Sequence, residues 1–69
     1  MKRISPALLA EKVCTGRRAK NISQQQLARM TDINRTMLGR IEKTVYMPSV
    51  AQLEKLCEVL GFEISDILT

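Results

Sequence analysis

The chain has 69 residues, 45% of them hydrophobic, with one tyrosine, one phenylalanine, no tryptophan and no histidine, and a net charge of +4. That length suits one domain near the lower limit for folding without a disulfide or a metal. No apolar run approaches the roughly 20 residues of a membrane span. Without histidine, and with only Cys14 and Cys57, a four-ligand zinc site lacks donors.

No signal-peptide pattern opens the chain, so the expected setting is the cytoplasm. There the two cysteines read as free, buried thiols, each in a helical pattern among apolar residues. With so few aromatics the core must be aliphatic, and short helices suit such a core best.

The helix starts are well signed. In "ISPALL", Ser5 caps, Pro6 takes the first helical position and Ile4 can staple onto Leu9. This predicts a first helix over about 6–19. In "ISQQQL", Ser23 caps, Gln26 closes a capping box and Ile22 reaches Leu27, for a second helix over 24–31. In "INRTML", Asn34 caps and Ile33 meets Leu38, for a third over 35–43. In "PSVAQL", Ser49 and Gln52 open a fourth over 50–60, which Gly61 ends in the left-handed position. A fifth, of one or two turns, is expected over 63–68 in "EISDIL". No stretch shows the strict alternation of a half-buried strand. The expectation is an all-α, single-domain bundle of five helices over residues 1–69.

The second and third helices are joined by only "DIN", as in two helices set at a steep angle. Leu27, Ala28 and Thr31 share one face of the second, Leu38 and Ile41 one face of the third, and Ile33 lies between. Met30 and Met37 fall outside this set and read as half exposed. The opposite face of the third helix carries Asn34, Arg35, Thr36, Gly39, Arg40 and Lys43, which no core needs. Charge is also divided along the chain. Residues 1–48 hold ten basic side chains against Glu11, Asp32 and Glu42, whereas residues 49–69 hold Lys55 against four acids. One end of the molecule should attract polyanions and the other should not.

The fragments "SQQQLA", "IN", "LGRIEK", "PSVAQLEKLCEVLG" and "ISDIL", in this order and spacing, resemble the lambda-repressor-like (XRE-type, Cro-like) helix-turn-helix DNA-binding family, over about residues 13–68. The resemblance implies a compact five-helix domain with the helix-turn-helix at helices 2 and 3. It also implies double-stranded DNA as the partner and helix 3 in the major groove. By the same resemblance Arg35, Thr36 and Arg40 occupy base-reading positions. Their chemistry agrees, since a guanidinium fork bonds guanine O6 and N7 and a threonine methyl meets that of thymine. Asn34 is first a cap and second a base contact. Gly39 costs about 1 kcal/mol in a helix interior and reads as kept small for close approach, or as a neutral surface residue.

Phosphate contacts are expected at the N-terminus of helix 2, where free N–H groups favour an anion, from Ser23 and Gln24. Lys43, Arg18 and Lys20 add charge at the flanks, and Arg29 is a further candidate. The resemblance implies that Arg17 and Glu42 pair, tying helix 1 to helix 3 rather than touching DNA.

Two departures stand out. Asp32 takes a turn position that is often glycine in the family, and Thr44 replaces the glycine that often follows helix 3. Val45, Tyr46 and Met47 then replace the charges usual in that loop, so the apolar loop 44–47 reads as an oligomer or partner surface.

The expected function is a transcription regulator, a repressor, that binds an inverted repeat as a homodimer, weak or DNA-induced, with no cofactor and no metal. Candidate dimer residues are Val45, Tyr46 and Met47, with Phe62, Ile64, Ile67 and Leu68 near the C-terminus, of which Phe62, Ile64 and Leu68 are equally candidates for the core. The alternative is the antitoxin of a toxin–antitoxin pair, a protein-interaction module that also regulates its own gene. An enzyme is not expected, because no glycine-rich phosphate loop and no base beside either cysteine is present.

Overall fold

The computed structural model describes residues 2–69. Four α-helices follow in chain order: α1 Pro6–Ala19, α2 Gln24–Thr31, α3 Arg35–Glu42 and α4 Val50–Leu60. The fifth element is not an α-helix. Ile64–Ile67 is one 3-10 turn, which corrects the expected five-helix bundle to four helices and a turn. The reason lies at the turn's ends. Glu63 accepts from the N–H of Asp66, a three-residue step, and by Leu68 the backbone is extended and forms an antiparallel bridge with Ile4. Only four residues lie between these anchors, too few to repay a full α-helical nucleus.

The caps work through side-chain oxygens. Ser23 and Ser49 each accept from the backbone N–H three residues on, and Gln26 and Gln52 each accept in return from the serine N–H. Ser5 accepts from Leu8 at 3.2 Å and Asn34 from Thr36 at 2.7 Å. The third helix stops at Glu42, one residue short of the expected 43, because Thr44 turns left-handed with φ 65°. There the N–H of Thr44 bonds Ile41 and that of Val45 bonds Arg40, closing a Schellman motif around a residue other than glycine. Asn21 and Asp32 take the left-handed position after α1 and α2, and Gly61 does so after α4.

The buried core draws on every element: Leu9 and Val13 from α1, Leu27 from α2, Leu38 and Ile41 from α3, Leu53 and Leu56 from α4, with Ile33, Phe62 and Ile67. Thr31, also buried, returns its hydroxyl to the Leu27 carbonyl at 2.8 Å, so its one polar group is satisfied. Met30 is exposed, while Met37 is half-buried and packs on the core. Both cysteines are free, but each is half-buried rather than buried. Gly16 allows a close approach of α1 to α4, since a Cβ there would come within 3.2 Å of the Leu60 Cβ.

The two chain ends are tied together, which no sequence pattern had suggested. The Arg3 and Thr69 backbones exchange N–H···O bonds, and the Ser5 N–H donates to Ile67 at 2.8 Å. Among the described residues no helix is long and apolar enough to cross a membrane.

Candidate nucleic-acid interface

In α3 the residues at 38 and 41 are pulled into the core, so helical periodicity turns 35, 36, 39, 40 and 43 the other way. Arg35, Thr36, Arg40 and Lys43 are exposed, and so is Asn34 at the cap. None of the three cations forms an ion pair within the chain among the described residues. Asn34 has its Oδ1 committed to capping, and its amide N–H groups have no acceptor among the described residues. Arg29 of α2 and Arg35 of α3 line opposite sides of an open concavity in the angle between the two helices, with Ala28 and Ile33 among its other lining residues.

The start of α2 offers backbone donors. Ser23 and Gln26 satisfy each other's N–H groups, and Leu27 donates to the Ser23 carbonyl. The N–H groups of Gln24 and Gln25 find no acceptor among the described residues, so two donors and the positive helix end face solvent together. Ser23 is exposed, as are Arg18 and Lys20 at the end of α1.

The Gln24 side chain is engaged within the chain, while its backbone N–H stays open. Its amide donates to Glu42 Oε1 at 3.2 Å, across from α2 to the end of α3. The Glu42 carboxylate also receives Arg17 Nε at 2.9 Å and Nη2 at 3.2 Å, a bidentate pair, while Arg17 Nη1 reaches the Ile22 carbonyl at 3.2 Å. The two side chains are only 16% and 10% exposed. Glu42 holds the Arg17 guanidinium above its ordinary range, chiefly through the hydrogen bond, against the opposing effect of burial. One carboxylate thus joins α1, α2 and α3. Sequence alone gives no signal for the Gln24 arm, since residues 18 apart meet only through the angle between the helices.

Beyond α3 the loop is apolar and open. Val45 is 68% exposed and Val50, at the start of α4, 74%. Met47 is exposed too, whereas Tyr46 is half-buried and donates its hydroxyl to Gln52 at 3.4 Å. Of the candidate dimer residues near the C-terminus, Phe62 and Ile67 belong to the core, Leu68 is half-buried and Ile64 remains exposed.

Two helices joined by a three-residue turn, the first capped and presenting free N–H groups, the second anchored inward and cationic outward, define a helix-turn-helix DNA-binding domain. Comparison with known proteins agrees. The model of the helix-turn-helix family HTH_3 matches residues 15–67, and the chain belongs to that family of DNA-binding transcription regulators. It is similar to the control protein C.SmaI of Serratia marcescens, 32% identical over 62 residues that cover 90% of this chain and 74% of the relative. It is also similar to the immunity repressor protein of Bacillus phage phi105, 35% identical over 52 residues. That match covers 75% of this chain but only 36% of the phage protein. Among solved structures, the hypothetical transcription factor NHTF from Neisseria superposes with a TM-score of 0.79 at 28% identity, over 93% of this chain and 74% of that one.

Proposed function

We propose that this chain represses transcription by occupying an inverted repeat, two copies binding with one α3 each in adjacent major grooves. The observation that carries the reading is the outward face of α3, where Arg35, Thr36, Arg40 and Lys43 stand exposed opposite buried Leu38 and Ile41. Arg35, Thr36 and Arg40 read base edges, with Asn34 a secondary contact. Lys43, Ser23, the backbone N–H groups of Gln24 and Gln25, Arg18 and Lys20 hold phosphates and fix the register. The protein acts in the cytoplasm by occupancy rather than by catalysis, and needs no cofactor. One reading head spans only a few base pairs, so a second copy on a half-site about one helical turn away supplies the rest of the site. The apolar residues Val45, Met47 and Val50 favour a protein contact beside the reading head, and a second copy is the occupant that a site of two half-sites requires.

Selection of bound duplexes from a random pool, followed by sedimentation with the best site, tests this. A palindromic consensus and two copies per duplex are expected. A single copy at saturation without cooperativity refutes the dimer, and no enrichment at all refutes sequence-specific binding. A second polypeptide that co-purifies in fixed proportion supports the antitoxin alternative, in which the same apolar patch is covered by a different protein.

A further inference from the structure

Gly39 and the oxygen of the Gln24 amide meet on the outward side of α3, and the fold accounts for neither. A glycine inside a helix destabilises it relative to alanine. Nothing in this chain requires the missing side chain: a Cβ at Gly39 would meet only Gln24 Oε1, at an ordinary 3.9 Å. Gly39 has no left-handed backbone to demand glycine either. The space beside α3 is therefore open to something outside the chain.

The Gln24 amide forms the wall of that space, and its orientation is fixed by chemistry. A carboxylate accepts hydrogen bonds and cannot donate them, so the end of the amide that meets Glu42 must be the nitrogen. Arg17 holds that carboxylate in turn with two bonds. The oxygen is left beside Gly39 with no donor among the described residues. One helical turn toward the N-terminus on the same face lie Arg35 and Thr36, and one turn beyond lies Lys43.

We infer that Gln24 and Gly39 together form a specificity-determining subsite that takes a base bearing an exocyclic amino group, adenine N6 or cytosine N4, in the major groove. The Gly39 backbone is the floor against which the base edge seats, and Gln24 Oε1 accepts the amino proton. An acceptor suits neither a phosphate nor the O6 of guanine or O4 of thymine, whereas adenine and cytosine present donors at that edge. Glu42 and Arg17 are positioning residues here, because they aim the amide without touching the base. The inference rests on the DNA-binding reading above and deepens it.

The test uses the best site obtained by selection. Each adenine is replaced in turn by purine, which lacks N6, and each cytosine by 2-pyrimidinone, which lacks N4. For the wild type, one position per half-site should lose about 3- to 10-fold in affinity, as for a single neutral hydrogen bond. In Gln24→Lys, which keeps a donor to Glu42 but has no acceptor, and in Gln24→Met, that loss should vanish. A purely structural role for Gln24 would weaken all duplexes alike and leave the analogue pattern unchanged. Gly39→Ala should raise the thermal midpoint while weakening the best site and sparing random duplex. The inference is overturned when no analogue effect depends on residue 24, or when Gly39→Ala binds the best site like wild type. If the wild type enriches no sequence, the DNA-binding reading fails first and takes this one with it.

Discussion

Cutting Glu42 back to alanine removes the acceptor shared by Arg17 and Gln24. The guanidinium then stays in a site where it is only 16% exposed, with the Ile22 carbonyl as its remaining partner. Breaking a buried pair from one side leaves an uncompensated charge and costs on the order of 3 kcal/mol. In a domain of this size each kcal/mol moves the thermal midpoint by about 4–8 °C, so a fall of roughly 12–24 °C is expected in the helical circular dichroism signal. The double variant Arg17→Met with Glu42→Leu should recover much of that loss, because both charges leave together and the methionine and leucine side chains refill the space. Arg17 is held above its ordinary range, so its share of the stability is complete below that range and is lost only as pH rises through the shifted value. The Arg17 contribution should therefore be constant between about pH 5 and 9, an interval far below the range in which arginine titrates. A Glu42→Ala midpoint within two or so degrees of wild type would refute the reasoning, as would a double variant no better than the worse single one.

Other expectations follow from single residues. Thr44→Gly should raise stability by about 1 kcal/mol, since a left-handed β-branched residue costs roughly 1–2 kcal/mol and the Schellman bonds need only backbone; an unchanged denaturant midpoint would count against it. Arg40→Ala should cost about 1–3 kcal/mol on the best duplex, whereas Lys43→Ala should weaken all duplexes equally, which competition binding on specific and random DNA can separate. Affinity for any duplex should fall linearly with salt on logarithmic axes, and a flat titration would remove the electrostatic reading. Burial pushes the Cys57 thiol up, so its contribution is present below the ordinary thiol range and fades as pH rises through the shifted value; Cys57→Ala should flatten part of the loss of stability seen above about pH 8.5.

What the sequence made legible was whatever acts over a few residues. Ser5, Ser23, Asn34 and Ser49 announced four helix starts because a cap and its N–H are two or three positions apart. The inward face of α2 and α3 followed from a period of 3.6, and the outward cations from the same period half a turn away. The fifth element is a single 3-10 turn although "EISDIL" has helical spacing, because the bridge that ends it pairs residues 4 and 68, a separation no local pattern records. Gln24 carries a side-chain contact that is hidden for the same reason. Its place at a helix N-terminus suggested an anion, and only the angle between α2 and α3 shows that its side chain has already met Glu42. Ile67, expected at an interface, and Phe62, open between interface and core, both lie in the core, since the pattern marks them as apolar without saying what covers them.

Helix α3 owes little of its geometry to itself. It has eight residues, with a glycine at its fifth position and a threonine in left-handed conformation just past its end. A helix of that length is marginal alone, and both features lower its own preference for the shape it holds. Its position is supplied from outside: Leu38 and Ile41 set into the core, the Asn34 cap at one end, and at the other a carboxylate gripped by α1 and α2. Such an arrangement leaves the outward residues free to be chosen for what they meet rather than for helix formation. It also separates two kinds of variant. Changes at Glu42, Arg17 or Leu38 should move stability and all DNA binding together, whereas changes at Arg35, Thr36, Gly39 or Arg40 should move base preference while the fold holds or improves.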